Sequence, residues 1–537
     1  FSEPIVKAVL VFSGALLAST IFGVNPAFSF WSNFERSEGL FSFLHYLAFF
    51  ILLIDVFRED DYYRLIKFFL LLSPLISYYR FSSFLDPITH QYGRVFGVFG
   101  NPSYLAAFLI FMFGFGALLI LRNIEFAKSL KDPLLIAENV LWGLILLGNV
   151  PAFILTQTRG AYIGLLVGVF VFLVFLLRKG TRVQKKYATG GLALLVSLVV
   201  VAGFVIFQTK LAPANLRDPS TLVFRFATWG SAWKSFLDRP LFGYGMENFS
   251  VGFDKHYNPI HSGVEIWFDH AHSVIFDALA STGLVGLVSY LAIFVVLFRF
   301  YLPVIGRERP AVEGAIFAAL PVAYFVQNLV LFDTLSSYVL FFLFLGVVRS
   351  TFLKETRDEA QTFFASRRVI LGCVVSVLII GVSFGIYANA AAYQRNIKLR
   401  ETYTVARQSS LNRAVGLYGG LSEVPGYLGR REVMKDLISF LYEWSARHDF
   451  ASLSGDEQGA FSFGLLSTNN FLQKDPQYLH AYYLAGNLYN LIALKSGKLD
   501  ALRTGEAILT TLNSSSPDRV EVISILAENL INQNKYD

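Results

Sequence analysis

The side chains best suited to chemistry in this sequence are arginines and histidines in polar segments between long apolar runs. Arg159 stands in the turn Thr156–Gly160, and Arg225 and His272 lie in the long polar segment 208–272. A guanidinium group binds phosphate oxygens through two hydrogen bonds, and a neutral imidazole accepts a proton from a hydroxyl near pH 7. Arg159 is the sharpest candidate, because so short a turn holds its charge close to the protein body.

Four further residues are possible substrate contacts. Arg36 and Arg94 each lie beside an apolar run, and Asp269 and His270 close the segment 208–272. Taken singly, each arginine is explained as an anchor that extends its charge to a membrane surface. Together they favour a shared anionic partner. Asp277 is able to orient an imidazole, although a carboxylate at a helix start is the commoner interpretation.

Metal binding is the rival chemistry for the same segment. Its spacing matches no recognised closed zinc site, the single cysteine lies inside an apolar run, and magnesium needs more convergent carboxylates. We therefore predict no metal ion and no cofactor. The ligands considered for this alternative are Asp269, His270, His272, His256 and His261.

The composition excludes an ordinary soluble enzyme. Of the 537 residues, 54% are hydrophobic and only 16% are charged, where soluble domains have roughly 25% charged residues. The mean hydropathy is +0.52, and many apolar runs are long enough to cross the roughly 30 Å of a bilayer core. The composition predicts an all-α, polytopic membrane bundle. In such a protein a net charge of +6 indicates an excess of Lys and Arg in the loops on one side of the membrane rather than nucleic-acid binding. One cysteine allows no internal disulfide, and because the first residue is Phe1, the lack of a signal peptide carries little weight.

Hydropathy predicts about eleven spans within residues 1–387. Alternate connections hold most of the Lys and Arg, so the positive-inside rule places them in the cytoplasm and the others outside. An odd number of spans then sends everything after Tyr387 outside. The predicted spans are 4–24, 40–57, 65–79, 103–121, 134–155, 161–177, 190–207, 274–299, 311–330, 335–352 and 369–387. The predicted outer connections are 25–39, 80–102, 156–160, 208–272 and 331–337.

The tail 388–537 has the composition of a separate soluble domain. Helix-period segments are predicted at Leu479–Ala493, Ala501–Leu512 and Arg519–Asn532, with polar turns between them. The part from Asp475 resembles tetratricopeptide helical pairs, although a generic array of helical hairpins fits nearly as well. Such a tail either docks a protein partner or caps the membrane domain.

A helix is also predicted at Arg225–Leu237. Phe226, Trp229, Trp233 and Phe236 recur at spacings of three and four, which is typical of a helix lying in the membrane interface. The alternative is a helix whose aromatic side chains only anchor the protein at the membrane interface, and such a helix would need no ligand. Arg225 borders the aromatic stripe.

Several motifs resemble, in order and loop placement, those of the O-antigen ligase and polymerase superfamily of bacterial membrane enzymes. The resemblance covers roughly residues 22–300. The motifs are Phe30–Gly39, Phe99–Leu105, Thr158–Ala161, Arg225 followed by Trp229, Pro240–Asn248, His270–Ser273 and Gly283–Gly286.

The resemblance implies a glycosyltransferase that uses glycans linked to undecaprenyl diphosphate and works without a metal. The implied reaction inverts the configuration at the anomeric carbon of the transferred sugar. By the same resemblance, Arg159 and Arg225 correspond to diphosphate-binding arginines and His272 to the catalytic histidine. This chain has Ser273 where the family commonly has Asn, which leaves the orienting hydrogen bond open. The implied setting is the bacterial inner membrane, with the active site outside, serving cell-envelope and lipopolysaccharide synthesis.

The sequence leaves the acceptor open. A ligase, a glycan-chain polymerase and a protein O-oligosaccharyltransferase share the donor and differ in using a glycan, lipid or protein acceptor. A transporter or lipid flippase is the alternative from another class, and predicts charges at mid-bilayer depth and broken spans in matched halves. The distinctive charges here gather on one face, which favours the enzyme. A membrane-anchored scaffold would leave them unexplained.

Overall fold

The computed structural model describes residues 3–79, 93–126, 133–208, 220–353, 367–424 and 426–534, and the regular elements in these ranges are helical. The predicted all-α class is therefore confirmed. The first helices are α1 (Pro4–Phe22), α2 (Pro26–Trp31), α3 (Leu40–Val56), α4 (Glu59–Tyr78), α5 (Pro102–Phe126), α6 (Pro133–Leu155), α7 (Arg159–Lys179), α8 (Arg182–Gln208), α9 (Ser220–Asp238) and α10 (Phe249–Lys255). The others are α11 (Val274–Val296), α12 (Leu302–Glu308), α13 (Ala311–Asn328), α14 (Leu335–Leu353), α15 (Arg367–Ala406), α16 (Leu411–Glu423), α17 (Arg430–Arg447), α18 (Gly455–Lys474), α19 (Leu479–Ser496), α20 (Leu499–Ser515) and α21 (Val520–Asn532).

Among the described residues, seven helical runs are long and apolar enough to cross a membrane. The other predicted spans fall within α3, α4, α8 and α15, so the count of about eleven stays a prediction. The seven runs are Pro4–Phe22, Pro102–Ile124, Pro133–Leu155, Arg159–Lys179, Val274–Gly306, Ala311–Asn328 and Leu335–Phe352. Several of these helices begin with proline, which has no N–H to leave unbonded in the first turn.

Helix α11 is interrupted at Gly283, whose φ of 67° lies in the left-handed region. A Cβ at this position would lie 2.3 Å from the carbonyl oxygen of Leu241, so only glycine fits. The loop that follows α9 enters the break, and the amide of Leu284 donates to the carbonyl of Pro240 at 2.8 Å. The amide of Tyr244 likewise donates to Ala280. The loop thus satisfies the backbone groups that the break frees, and it is fixed against the start of α11.

Helices α7 and α13 approach each other closely because small residues line their contact. A Cβ on Gly164 would lie 2.6 Å from the carbonyl oxygen of Ala323, and one on Gly160 would lie 2.4 Å from a methyl group of Val330. Packing this close brings the first turn of α7 against the connection that follows α13. Arg159, the first residue of α7, is carried to that connection.

The tail forms a layered set of helical hairpins with its own apolar core, centred on α17 and α19. The three helices predicted in the tail correspond to α19, α20 and α21. Helix α15 runs without interruption from Arg367 to Ala406, across the predicted boundary at 387, and the division into two domains remains a prediction. The tetratricopeptide-like assignment also remains a prediction.

The tail packs on two connections of the membrane part. The hydroxyl of Ser516 donates to the carbonyl of Asp254 at 2.6 Å, and the amide of Phe34 donates to Glu432 at 2.9 Å. The ring of Trp267 stacks on His480, with 4.6 Å between the centroids. The tail therefore braces the segments that lead into the candidate site.

Candidate active site

The site is built around the turn Asp269–Ser273, directly before α11. His272 has a φ of 53°, a conformation that costs a non-glycine residue energy and is retained where the surroundings impose it. Its Nδ1 lies 3.1 Å from the carbonyl oxygen of His270. A carbonyl can only accept, so Nδ1 carries the hydrogen and Nε2 is left with the lone pair.

Helix α9 places Arg225 beside this turn. One turn further along α9, the indole N–H of Trp229 donates to the carbonyl of Ala271 at 3.0 Å, and its ring stacks on Phe276. The guanidinium of Arg225 donates to the carbonyl of Val330. The aromatic stripe predicted for α9 is thus divided, because Phe226 and Trp233 are exposed whereas Trp229 is half-buried and supports the site.

The turn Thr156–Gly160 contains Arg159 and accepts hydrogen bonds from Arg94. Arg94 donates from Nε to the carbonyl of Thr156 at 2.8 Å and from Nη2 to the hydroxyl of Thr158 at 3.3 Å. Arg159 follows Thr158, and Gly160 packs on Val330, whose carbonyl accepts from Arg225. The three arginines therefore lie where the turn Thr156–Gly160 meets the connection between α13 and α14.

These arginines are close enough to repel one another. Burial lowers the pKa of both Arg225 and Arg94, and Arg159 lowers each of them further. Burial and the charge of Arg225 lower the pKa of His272 to about 4. The ion pairs found in the described part of the chain include neither Arg94 nor Arg225. Like charges gathered in this way are suited to binding an anion.

Phe332, in the connection between α13 and α14, is the ring around which the remaining candidates are arranged. His270 stacks on it with 4.1 Å between centroids, and His272 meets it edge-on at 5.5 Å. The guanidinium of Arg36 lies 5.2 Å from the ring centroid and donates to Asp269 at 2.7 Å. Against the effect of burial, His270 and Arg36 lower the pKa of Asp269 to about 2.

A buried acidic cluster lies on the other side of His270. The Nδ1–H of His270 donates to both carboxylate oxygens of Asp277 at 3.1 Å, so Asp277 does orient an imidazole. Its Nε2 lies 3.7 Å from Glu247 and 4.0 Å from Glu38. A cavity of about 80 Å³ adjoins these groups, enough for several water molecules. Burial raises the pKa of Glu38 and of Glu247.

The structure thus brings together every site residue predicted from the sequence. Arg159, Arg225 and His272 share one region with Arg94, whereas Arg36, Asp269 and His270 form an adjoining network with Phe332. The roles assigned to these residues stay predictions. Sequence reasoning missed Glu38, Glu247 and Phe332; their only signal was their place in predicted outer connections, two of them within motifs of the resemblance.

Residues 142–291 match the family model described as O-antigen ligase. This segment runs from α6 to α11 and contains Arg159, Arg225, the loop that enters the helix break, and His272. A search of curated proteins found no match. The match supports the resemblance of this chain to the O-antigen ligase and polymerase superfamily of membrane enzymes.

Proposed function

We infer that this protein is a membrane glycosyltransferase that moves a glycan from undecaprenyl diphosphate to an acceptor hydroxyl on the outer side of the bacterial inner membrane. The observation that carries this proposal is the gathering of Arg94, Arg159 and Arg225 beside His272. A lipid diphosphate concentrates negative charge at the headgroup plane, and guanidinium groups match its oxygens in geometry and charge. The match of residues 142–291 to the O-antigen ligase model supports an enzyme of this type.

In the proposed reaction the acceptor hydroxyl attacks the anomeric carbon on the face opposite the diphosphate. The new carbon–oxygen bond forms as the bond to the phosphate oxygen breaks, so the configuration inverts. Nε2 of His272 takes the hydroxyl proton, because Nδ1 already carries the hydrogen that is donated to His270. The charge that develops on the leaving diphosphate is stabilised by Arg159 and Arg225.

The test is transfer by the full chain in proteoliposomes that contain a synthetic undecaprenyl-diphosphate-linked oligosaccharide and a membrane extract as acceptor. We expect His272→Ala to lower the rate of undecaprenyl diphosphate release by about 10²- to 10⁴-fold, the usual contribution of a general base. His256→Ala is the matched control, because His256 lies in the same segment but pairs with Asp238 at 2.7 Å. Undiminished transfer by His272→Ala would remove the proposed base.

Product analysis distinguishes the candidate acceptors. One capped acceptor indicates a ligase, a ladder of repeats a polymerase, and a modified protein an O-oligosaccharyltransferase. We expect the ligase outcome. Lipid flipping without any glycan transfer in the same vesicles would instead support a transporter.

A further inference from the structure

Three side chains of metal-ligand type converge beside the turn Asp269–Ser273. Glu38 lies before α3, Glu247 lies in the loop between α9 and α10, and His270 lies before α11. One ligand atom from each of them lies within 4.8 Å of the other two. The three residues come from separate connections, so their meeting is a product of the tertiary fold.

His270 is held as a metal-bound histidine usually is. Its Nε2 points at the two glutamates, is buried, and has no hydrogen-bond partner among the described residues, and His270 as a whole is only 6% exposed. Its Nδ1–H donates to the carboxylate of Asp277. In metal-binding histidines, a carboxylate that accepts from one ring nitrogen fixes the tautomer and the ring orientation, so that the other nitrogen binds the metal.

The two glutamates are also held with oxygen atoms available. Oε2 of Glu247 accepts from the hydroxyl of Ser32 at 2.7 Å, whereas Oε1 is the oxygen nearest His270. Glu38 accepts a hydrogen bond from the backbone of Leu335. Ligating carboxylates are commonly hydrogen-bonded in this manner.

A proton shared within the cluster fits these distances less well than a metal ion does. Charge-assisted N–H···O bonds span about 2.7–2.9 Å, whereas Nε2 lies 3.7 and 4.0 Å from the two carboxylates. Ligands bonded to one zinc ion at about 2.0–2.2 Å lie roughly 3.4 Å apart in a tetrahedron and about 4.2 Å apart when opposite. The buried carboxylates also outnumber the nearby cations, since Arg36 is paired with Asp269.

We propose that Glu38, Glu247 and His270 bind one divalent transition-metal ion such as Zn²⁺ or Mn²⁺, with water from the adjoining cavity completing the ligand set. Carboxylate and imidazole ligands together suit these ions. The ion ties three connections together and fixes the carbonyl of His270, to which His272 donates. It positions the base and takes no part in the transfer itself, so this proposal goes beyond the proposed function.

The test measures metal directly. The purified full chain is treated with EDTA, incubated with ZnCl₂ or MnCl₂ and desalted, and bound metal is then counted by mass spectrometry. We expect one ion per chain for the unaltered protein and at least a fivefold loss for Glu247→Gln and for His270→Gln. His256→Gln is the matched control, because His256 and Asp238 form another histidine–carboxylate pair, and it should retain the ion.

A second measurement on the unaltered chain keeps the proposal testable where a variant fails to fold. Zinc X-ray absorption should show one imidazole nitrogen with oxygen ligands, and EDTA should lower the thermal midpoint reversibly. The proposal is overturned by less than one-fifth of an ion per unaltered chain, by binding that survives Glu247→Gln and His270→Gln, or by loss of the ion in His256→Gln. None of these readouts depends on glycan transfer.

Discussion

Two sets of arginines in this molecule have opposite surroundings. In the tail, Arg431 donates two hydrogen bonds to Asp475 at 2.7 and 2.8 Å, and Arg519 donates to Asp254 and to the carbonyl of Ile266. In the membrane part, Arg225 donates to the carbonyl of Val330 and lies within range of another positive charge. Arg431 and Arg519 are paired with carboxylates, whereas the ion pairs found among the described residues do not include Arg225.

The pKa shifts follow the same division. Although burial lowers the pKa of Arg431, its contact with Asp475 raises it overall, whereas burial and Arg159 lower the pKa of Arg225. A paired arginine fixes two elements to each other, while an arginine beside like charge is stabilised by an anion that arrives from outside. Chemical surroundings therefore distinguish Arg431 from Arg225.

The strongest test of this division is the removal of Arg225. We expect Arg225→Ala to lower the rate of glycan transfer by about 10²- to 10³-fold, because one charge-stabilising donor is lost from the transition state. Arg225→Lys should recover only part of the rate, since an ammonium cannot bind two oxygens in parallel. The measurement is release of undecaprenyl diphosphate in proteoliposomes.

Lys234→Ala provides the control for that substitution, because Lys234 is exposed on the same helix. Its rate and its thermal midpoint should match those of the unaltered protein. If Arg225→Ala unfolded the protein rather than slowing transfer, Arg225 would belong with the structural arginines and the division would fail.

Removing Arg519 should lower the stability of the protein, in contrast to the removal of Arg225, which should lower the rate of transfer. Arg519 is fully buried between the rings of Tyr257 and Trp267, at 4.3 and 3.9 Å from their centroids. Arg519→Met leaves Asp254 buried without its partner, so we expect the free energy of unfolding to fall by about 3–5 kcal/mol. Urea unfolding and limited proteolysis of the tail measure this loss.

The double variant Arg519→Met with Asp254→Leu should regain most of that stability, because both charges are then absent. Arg503→Met serves as the comparison in the same tail, since Arg503 is 65% exposed, and it should cost less than about 1 kcal/mol. Equal losses for Arg503→Met and Arg519→Met would show that the buried pair does not fix the tail.

The smallest expected effect concerns pH. Burial, with Lys435 and Arg519, lowers the pKa of His480 to about 3. An unfolded histidine has a pKa of about 6.5, so the unfolded chain binds more protons between these values and stability falls as the pH drops through this window. The slope that His480 contributes should not exceed about 1.4 kcal/mol per pH unit.

Unfolding midpoints between pH 7.5 and pH 5 measure that slope. His480→Gln should flatten it, because glutamine does not titrate and retains much of the contact with Trp267. An identical slope in both proteins would mean that the interface between the tail and the connection that contains Trp267 does not depend on His480.

The sequence predicted those features that depend on local pattern. Long apolar runs predicted the helices, and the scarcity of charge beside them made Arg159, Arg225 and His272 conspicuous. It did not predict the helix break at Gly283, because hydropathy continues across a single glycine. Glu38 and Glu247 escaped notice because their meeting with His270 depends on contacts between distant segments. The docking of Arg519 on Asp254 was missed for the same reason.

The position of Phe332 has an evolutionary consequence. One ring contacts Arg36, His270 and His272, so any substitution there alters three polar groups at once. Selection on this residue cannot adjust one of those groups independently of the others. Variation between descendants should therefore accumulate away from this ring, leaving Phe332 among the slowest positions to change.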